Sequence, residues 1–484
     1  MDKFFKISER GSTIKTEIMA GLTTFFAMAY IVLVNPNQVA GEGSNGWLAG
    51  AVPDMAGELG TVWNAVFIAS ILVAIVGTLL MAFLADMPFA QACGMGLNSF
   101  FCTIFVAGAA FAGVSVIRGY QAGLVIVLIS GLVFLILSVT GLRKYIAVAM
   151  PECLKKSIPA GIGLFIALIG LKNATLIQDN PYTFVQFFDF HGVITSAGST
   201  KEAIAQIAPP IVAFVGFIII AILAKLNVKG NIIIGILAST VLYYVMMLQA
   251  PNFDFSSIGQ SFKDFGSVGF LGVFQGQAWK DAFSAEYIGG VFSAIMLVVS
   301  FCLVDMFDTI GTLVGTASRA GMVDKEGNMP NMKEALVSDS VATVVGAVTG
   351  TSTVTTFVES ASGVEAGGRT GLTAFTTGIL FLACIFIAPL AAIIPAAATS
   401  SALIYVGILM LGGLKKVDFE DLSQVAPVAL MLIAMPISGS IGHGIGLALI
   451  SYTIMKVFTG KAKDVSVLTY IISAIFLLKF FLVV

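Results

Sequence analysis

Apolar runs separated by short polar stretches fill the chain from residue 18 to its end. They cover 18–34, 62–83, 88–108, 121–139, 158–172, 207–225, 230–248, 287–316, 333–349, 351–366, 371–391, 396–413, 425–438 and 441–458. A further apolar stretch covers 465–484. Most approach or exceed the roughly 18 residues with which a helix crosses a hydrocarbon layer about 30 Å thick. The pattern predicts an all-α polytopic membrane protein of about fourteen transmembrane segments. The 425–438 run is short and holds Pro436, so it reads as half of a bent pair. No topology for 425–484 follows from the pattern.

Two runs break the helical pattern. QACGMGLNSFF (91–101) opens on Gln91, carries Gly94 and Gly96, and holds Asn98. GTSTVTTFVESASGVEAGG (350–368) opens on Gly and a Thr/Ser cluster and places Glu359 in mid-run. Each reads as extended backbone leading into a short half-helix. Gly permits irregular backbone, and Ser or Thr caps the first N–H groups. Such backbone persists at membrane depth only where protein or a wet cavity satisfies it. The two stretches fall in the third and tenth runs, which are equivalent places in a seven-plus-seven repeat. Three paired echoes in the same order support that repeat: VAIVG (73–77) with ATVVG (342–346), GLVFL (131–135) with GILFL (378–382), and GLFIALIGLK (163–172) with GILMLGGLK (407–415). A repeat with an odd number of spans inserts upside down relative to its twin, the plan of many secondary transporters.

Composition narrows the class further. The chain has 484 residues, 58% of them hydrophobic and only 11% charged, too little polar surface for a soluble domain. A net charge of −2 excludes an electrostatic nucleic-acid binder. The five cysteines, Cys93, Cys102, Cys153, Cys302 and Cys384, read as free buried thiols. The tail 1–17 is polar for too long to be a cleaved signal peptide, so the first run is read as a true span. That tail carries Lys3, Lys6, Arg10 and Lys15, whereas the loop 35–61 has no Lys or Arg. The positive-inside rule therefore predicts a cytoplasmic N-terminus in a multi-pass protein of the cell (plasma or inner) membrane. Alternation then puts Arg143, Lys144, Lys225, Lys229, Arg319, Lys325, Lys333, Lys415 and Lys416 on the same side.

The candidate chemistry is acidic. Asp305, Asp308, Asp339 and Glu359 all fall within predicted spans. Each central acid costs about 2.5–3.5 kcal/mol on insertion scales, so four facing lipid would cost on the order of 10 kcal/mol. They must face a polar cavity, be protonated, or be hydrogen-bonded. Asp305, Asp308, Thr309 and Thr312 are spaced i, i+3, i+4, i+7 and share one helical face. The bland alternatives are an interhelical hydrogen bond for the Asp305/Asp308 pair, an interfacial site for Asp339, and a surface ion pair for Glu365 and Arg369. No HExxH, paired CxxC, GxSxG or Walker motif occurs, so no enzyme, metal or cofactor is expected.

SFCLVDMFDTIGTLVG, GTSTVTTFVESASGVEAGGRTGLTAF, QACGMGLNSFF and GLTTFFAMAYIVLVNP together resemble the azaguanine-resistance (AzgA-like) family of purine permeases. These belong to the nucleobase–cation symporter-2 (nucleobase–ascorbate transporter) group. The resemblance implies fourteen spans in two inverted repeats of seven, with half-helices and short strands at spans 3 and 10. It implies a core, substrate-binding domain from 18–139 and 287–391, a gate domain from 145–248 and 395–458, and an unassigned segment 465–484. It implies import of adenine, guanine or hypoxanthine by proton symport with alternating access. Purine is then held by Asn98, Asp305 and Glu359, with Asp308 as the second acid. Main-chain groups near Gly96 and Val358 add hydrogen bonds, and Phe357 is the aromatic neighbour of the base. Cys93 stands where the family more usually has proline.

Such a site suits a neutral planar base, whose edge offers N–H donors to carboxylates and acceptors to an amide. One co-transported proton brings about 2.3 kcal/mol per 100 mV, enough for roughly fifty-fold accumulation at ~1.4 kcal/mol per decade. Glu359 is the first candidate for that proton, followed by Asp305, Asp308 and Asp339. The partners expected are purine, proton and lipid bilayer, with homodimerisation through the gate as in relatives. The rival readings are a same-fold carrier of uracil, xanthine or an inorganic anion, and, from other classes, a channel or a membrane enzyme.

Overall fold

The computed structural model describes residues 2–140, 150–180, 182–228, 230–251, 256–284, 288–319, 322, 329–387 and 393–482. Arg143, Lys144, Lys229 and Lys325, used above to assign orientation, lie outside the described residues.

Helices form where the apolar runs lie, because backbone N–H and C=O groups facing hydrocarbon must be paired within their own segment. The first span is α1 (Ile14–Met28) and α2 (Ile31–Val39), and the second is α3 (Ala56–Leu80), which ends in a π-turn over Met81–Ala85. The third is β1 (Gln91–Cys93) followed by α4 (Met95–Phe101). Then come α5 (Val116–Thr140) and α6 (Glu152–Asn173), a two-stranded hairpin of β2 (Ile177–Asn180) and β3 (Phe184–Phe187), α7 (Thr200–Lys225) and α8 (Asn231–Met247). A short helix, α9 (Gly276–Ala282), precedes α10 (Gly290–Arg319) and α11 (Met332–Thr349). The tenth span is β4 (Val354–Thr356) and α12 (Ser360–Glu365). The remainder is α13 (Gly371–Ala383), α14 (Ala396–Met410), α15 (Leu422–Ser438), α16 (Ile441–Phe458) and α17 (Val467–Leu482). Among the described residues eight helices, some joined from adjacent elements, are long and apolar enough to cross a membrane alone, and shorter apolar helices accompany them. The half-helices are too short to span by themselves.

The third and tenth spans meet. β1 pairs antiparallel with β4 in the register Gln91↔Thr356, Ala92↔Thr355 and Cys93↔Val354. Two further bonds extend the ladder, Gly94 N–H to Thr353 O and Phe357 N–H to Ala90 O, both 3.0 Å. This is the inverted repeat expected from the odd span count, with each half supplying one strand. The run 425–438 belongs to a helix, α15, which turns through Gly439 (φ +60°) into α16 as a hairpin. α17 packs on α16, where Ser473 donates to Leu449 O at 3.2 Å.

Helices of the first four spans pack with those of spans eight to eleven: α11 on α5 and α3, α13 on α1 and α3. Helices of spans five to seven pack with those of spans twelve to fourteen: α6 on α14 and α15, α7 on α8 and α14. One end of the molecule gathers Arg10, which pairs with Asp86 at 2.8 Å and donates to Arg369 O, and Asn331, which donates to Ala85 O. The other end gathers Arg118 with Asp281 (2.6 Å), Asn64 with Asp264 (2.8 Å) and Ser115 with Glu58 (2.7 Å).

Glu17 of α1 is fully buried and caps α13 from outside. It accepts from the N–H groups of Arg369 (2.9 Å) and Thr370 (3.2 Å) and from Thr373 Oγ1 (2.6 Å). A carboxylate at a helix N-terminus satisfies orphan donors and complements the helix dipole. Glu17→Ala should therefore lower unfolding free energy by about 2–4 kcal/mol, since it leaves the N–H groups of Arg369 and Thr370 without their carboxylate acceptor. Thermal unfolding in detergent checks this; a variant as stable as its parent would contradict it. The expected Glu365–Arg369 ion pair is not formed: the Arg369 guanidinium donates instead to the carbonyls of Val364 (2.6 Å) and Gly368 (2.8 Å). Those carbonyls lie beside it at the end of α12, free of the desolvation that a second charge would add.

Candidate functional site

Two threonines hold the crossed strands from behind. Thr78 Oγ1 of α3 bonds both the N–H and the C=O of Gln91, each at 3.0 Å. Thr343 Oγ1 of α11 does the same for Val354, each at 3.1 Å. They come from the second and ninth spans, which correspond in the two halves, and each satisfies the outer edge of one strand. Extended backbone is thereby stable far from water. Cys93 takes part in the ladder, and its Sγ lies 3.3 Å from Thr351 Oγ1.

Behind the strands lies a buried polar network. Asp339 is fully buried and accepts from Gln91 Nε2 (3.0 Å) and Thr309 Oγ1 (2.5 Å). Thr309 also meets Thr355 Oγ1 at 3.0 Å. Asp305 is 1% exposed, and its Oδ2 accepts from Thr343 Oγ1 at 3.0 Å. Asp305 of α10 thus faces Thr343 of α11, and Asp339 of α11 faces Gln91 of β1 and Thr309 of α10.

In front lie the other residues. Asp308 is half-buried on α10, which packs against α12, β4 and α4. At about 100° per residue, Asp308 points roughly 60° to one side of Asp305, whereas Thr309 points roughly 40° to the other. On that face Asp305 and Thr309 bond groups at the strands and α11, and Asp308 is offset to one side of them. Glu359 is half-buried at the N-terminus of α12, and its Oε1 accepts from the Tyr30 hydroxyl at 2.6 Å. Asn98 is fully buried on α4; its Oδ1 accepts from Ser352 Oγ, and its Nδ2 has no hydrogen-bond partner among the described residues. A buried amide donor without a partner is costly unless something else accepts from it.

Phe357 is buried beside the strand, and Val358, next to it, is 46% exposed. Gly96 lies on α4 where that half-helix abuts α6; an added Cβ would fall 2.4 Å from Ile162 Cγ2. The structure thus gathers Asn98, Gly96, Phe357, Val358 and Glu359 around the two half-helices, with α10 bringing Asp308 alongside. It sets Asp305 and Asp339 behind.

Sequence reasoning passed over Tyr30, Gln91, Ser352 and the two clasping threonines. A faint signal exists for the first span, where Tyr30, Asn35 and Gln38 are polar groups in an apolar run. All three are buried. Asn35 Nδ2 donates to Ser70 Oγ (2.6 Å) and Thr351 Oγ1 (3.0 Å), and Gln38 Nε2 donates to Ser99 Oγ (3.1 Å). The first span therefore touches both half-helix segments.

Residues 15–451 match the profile of the Permease family. The chain is 36% identical over 479 residues to the adenine permease AdeP of Escherichia coli (strain K12), covering 99% of this chain and 95% of that one. It is 38% identical over 484 residues to the guanine/hypoxanthine permease PbuO of Bacillus subtilis (strain 168), covering 99% and 100%. These relatives are permeases, not enzymes. Among solved structures, the transmembrane domain of the cyanobacterial bicarbonate transporter BicA superposes with a TM-score of 0.59 at 16% identity, covering 90% of this chain and 97% of that one. Murine Slc26a9, an anion transporter in the inward-facing state, superposes with a TM-score of 0.56 at 14% identity, covering 93% and 69%. At such identities the two structures establish the fold alone.

Proposed function

The chain belongs to the Permease family, and on that premise we propose that it imports purine nucleobases (adenine, guanine or hypoxanthine) by proton symport with alternating access. The observation that carries this reading is the unpaired buried donor of Asn98 on α4, together with the half-buried acceptors Glu359 at the start of α12 and Asp308 on α10, the helix that packs against both α4 and α12. A donor and two carboxylates match the mixed edge of a purine, which presents ring-nitrogen or carbonyl acceptors next to N–H donors. Phe357 offers apolar area to the ring face. An inorganic anion is disfavoured, because Asp308 and Glu359 would repel it.

Asp308, rather than Asp305, is the acid of α10 that meets the ligand in this reading. Asp305 spends one oxygen on Thr343 behind β4, its Oδ1 has no hydrogen-bond partner among the described residues, and it is almost without exposure. Glu359 remains the first candidate for the coupled proton, with Asp308 next. Asp339 is already committed to Gln91 and Thr309, and together with Asp305 it serves better to hold the strands. The helices of spans one to four and eight to eleven act as the core, and those of spans five to seven and twelve to fourteen act as the gate. The N-terminal tail is cytoplasmic, and gate-to-gate pairing would make a homodimer.

Reconstituted vesicles with a more acidic exterior provide the test. Labelled hypoxanthine should accumulate saturably above equilibrium, and a protonophore should abolish the excess. Unlabelled adenine, guanine or hypoxanthine should compete more strongly than uracil or xanthine. Stronger competition by uracil or xanthine would move the substrate class to the second reading. Uptake that merely equilibrates would remove the coupling.

A further inference from the structure

Glu359 begins a half-helix, yet its carboxylate makes no side-chain cap of its own helix. It reaches instead to the first span, where the Tyr30 hydroxyl lies 2.6 Å from Oε1. Among the described residues, Tyr30 is the side chain that hydrogen-bonds this carboxylate. Tyr30 is itself 1% exposed, and its hydroxyl also lies 3.9 Å from Met95 Sδ at the start of α4. A phenol so deeply buried must keep a partner, because an unpaired hydroxyl there forfeits its hydration. Its position is also fixed by backbone: it occupies the junction of α1 and α2, where Leu33 N–H and Val34 N–H both bond Tyr30 O at 3.0 Å. Asn35 and Gln38 anchor the same span to the two half-helix segments.

Resting on the nucleobase-binding reading of Glu359, we propose that Tyr30 is a positioning residue for nucleobase recognition: its hydroxyl occupies Glu359 Oε1 and so presents Oε2 to a ligand N–H. A glutamate has three rotatable side-chain bonds, and a free carboxylate at a half-helix end samples several rotamers. One charge-assisted hydrogen bond from a rigid donor selects a single orientation before ligand arrives. Tyr30 touches no part of the base. It acts through Glu359, and it ties the tenth span's acid to the first span of the other repeat.

The test is hypoxanthine binding to the purified full-length protein, measured in a double-mutant cycle. Tyr30→Phe should raise Kd roughly tenfold, the loss of one charge-assisted bond's orienting effect. It should leave the maximal uptake rate in vesicles within about twofold, as expected when ground-state and transition-state binding fall together. In a Glu359→Gln background the same substitution should raise Kd by no more than about twofold, since its route of action is gone. A purely structural tyrosine would weaken both backgrounds equally, and that additivity would overturn the proposal. Glu359→Asp supplies a second route: it keeps the charge but withdraws it from the 2.6 Å contact. Its Kd should rise by the same order, and adding Tyr30→Phe should cost nothing more; a further tenfold loss also overturns the proposal. If Glu359→Gln leaves Kd unchanged, the binding reading itself fails and this inference with it. If Glu359→Gln weakens binding while Tyr30→Phe does not, the inference alone fails.

Discussion

Glu359→Gln is expected to abolish concentrative purine uptake and to weaken binding by about a hundredfold, on the order of 3 kcal/mol. Two effects combine. Replacing a carboxylate by an amide removes an acceptor with a full negative charge and puts an N–H₂ group where a ligand N–H should donate. It also removes the first candidate for the coupled proton from the site and leaves Asp308 as the titratable group there. The Tyr30 hydroxyl, which donates to Oε1 at 2.6 Å, loses its charged partner as well. Uptake at two external pH values, together with equilibrium binding, reads both effects. The same measurements separate the neighbouring acids: Asp308→Asn should follow Glu359→Gln in binding, whereas Asp305→Asn should mainly lower stability. A Glu359→Gln protein that still concentrates purine and responds to pH like its parent would end the coupling assignment.

Gly407→Val is expected to be the most damaging single substitution outside the candidate site. α6 and α14 cross backbone to backbone at Gly163 and Gly407. A Cβ on Gly407 would fall 2.3 Å from Gly163 O and 2.8 Å from Ala167 Cβ, and one on Gly163 would fall 2.5 Å from Gly407 O. Within a bilayer, helix pairing draws on close packing rather than on exclusion of water, so small residues at the crossing carry the contact. Two helices forced apart lose that packing along their whole length, and the buried backbone cannot yield. The expected loss is about 3 kcal/mol or more, read as a lower unfolding midpoint in detergent. Gly412→Ala is the control, since nothing lies within 4 Å of the added carbon. Equal stability of the two variants would show that the crossing is not the contact described.

Gly163 and Gly407 also head the two segments GLFIALIGLK and GILMLGGLK, whose likeness first suggested a repeat. Their meeting at the helix crossing gives the echo a physical cause: both copies need a residue without a side chain at the point where the halves touch. The other pairing of halves, β1 with β4, was legible in a different way. Two Gly-, Ser- and Thr-rich interruptions in apolar runs are expensive in lipid unless each satisfies the other. Their existence could be read in advance, but their register could not, because each strand is three residues long and carries no turn that sets it.

The acids divide in the same manner. That Asp305, Asp308, Asp339 and Glu359 avoid lipid followed from the cost of burying charge. Which of them bond the groups behind the strands depended on rotations of a few tens of degrees about α10, and on Thr343, Gln91 and Thr309 arriving from other spans to meet Asp305 and Asp339. The partners of Tyr30 and Glu17 could not be read for a similar reason: Glu359 and the start of α13 lie more than three hundred residues away along the chain.

The sequence alone determined the order of the apolar segments, the two places where helix gives way to strand, and the set of ionisable groups kept from lipid. It does so because hydrocarbon enforces a local rule, in which each segment must pair its own backbone and hide its own charges. Tertiary structure alone decided which acid is committed to holding the strands and which stays accessible. Hydrogen bonds between side chains hundreds of residues apart form only once the two inverted halves have met, and no local pattern encodes them.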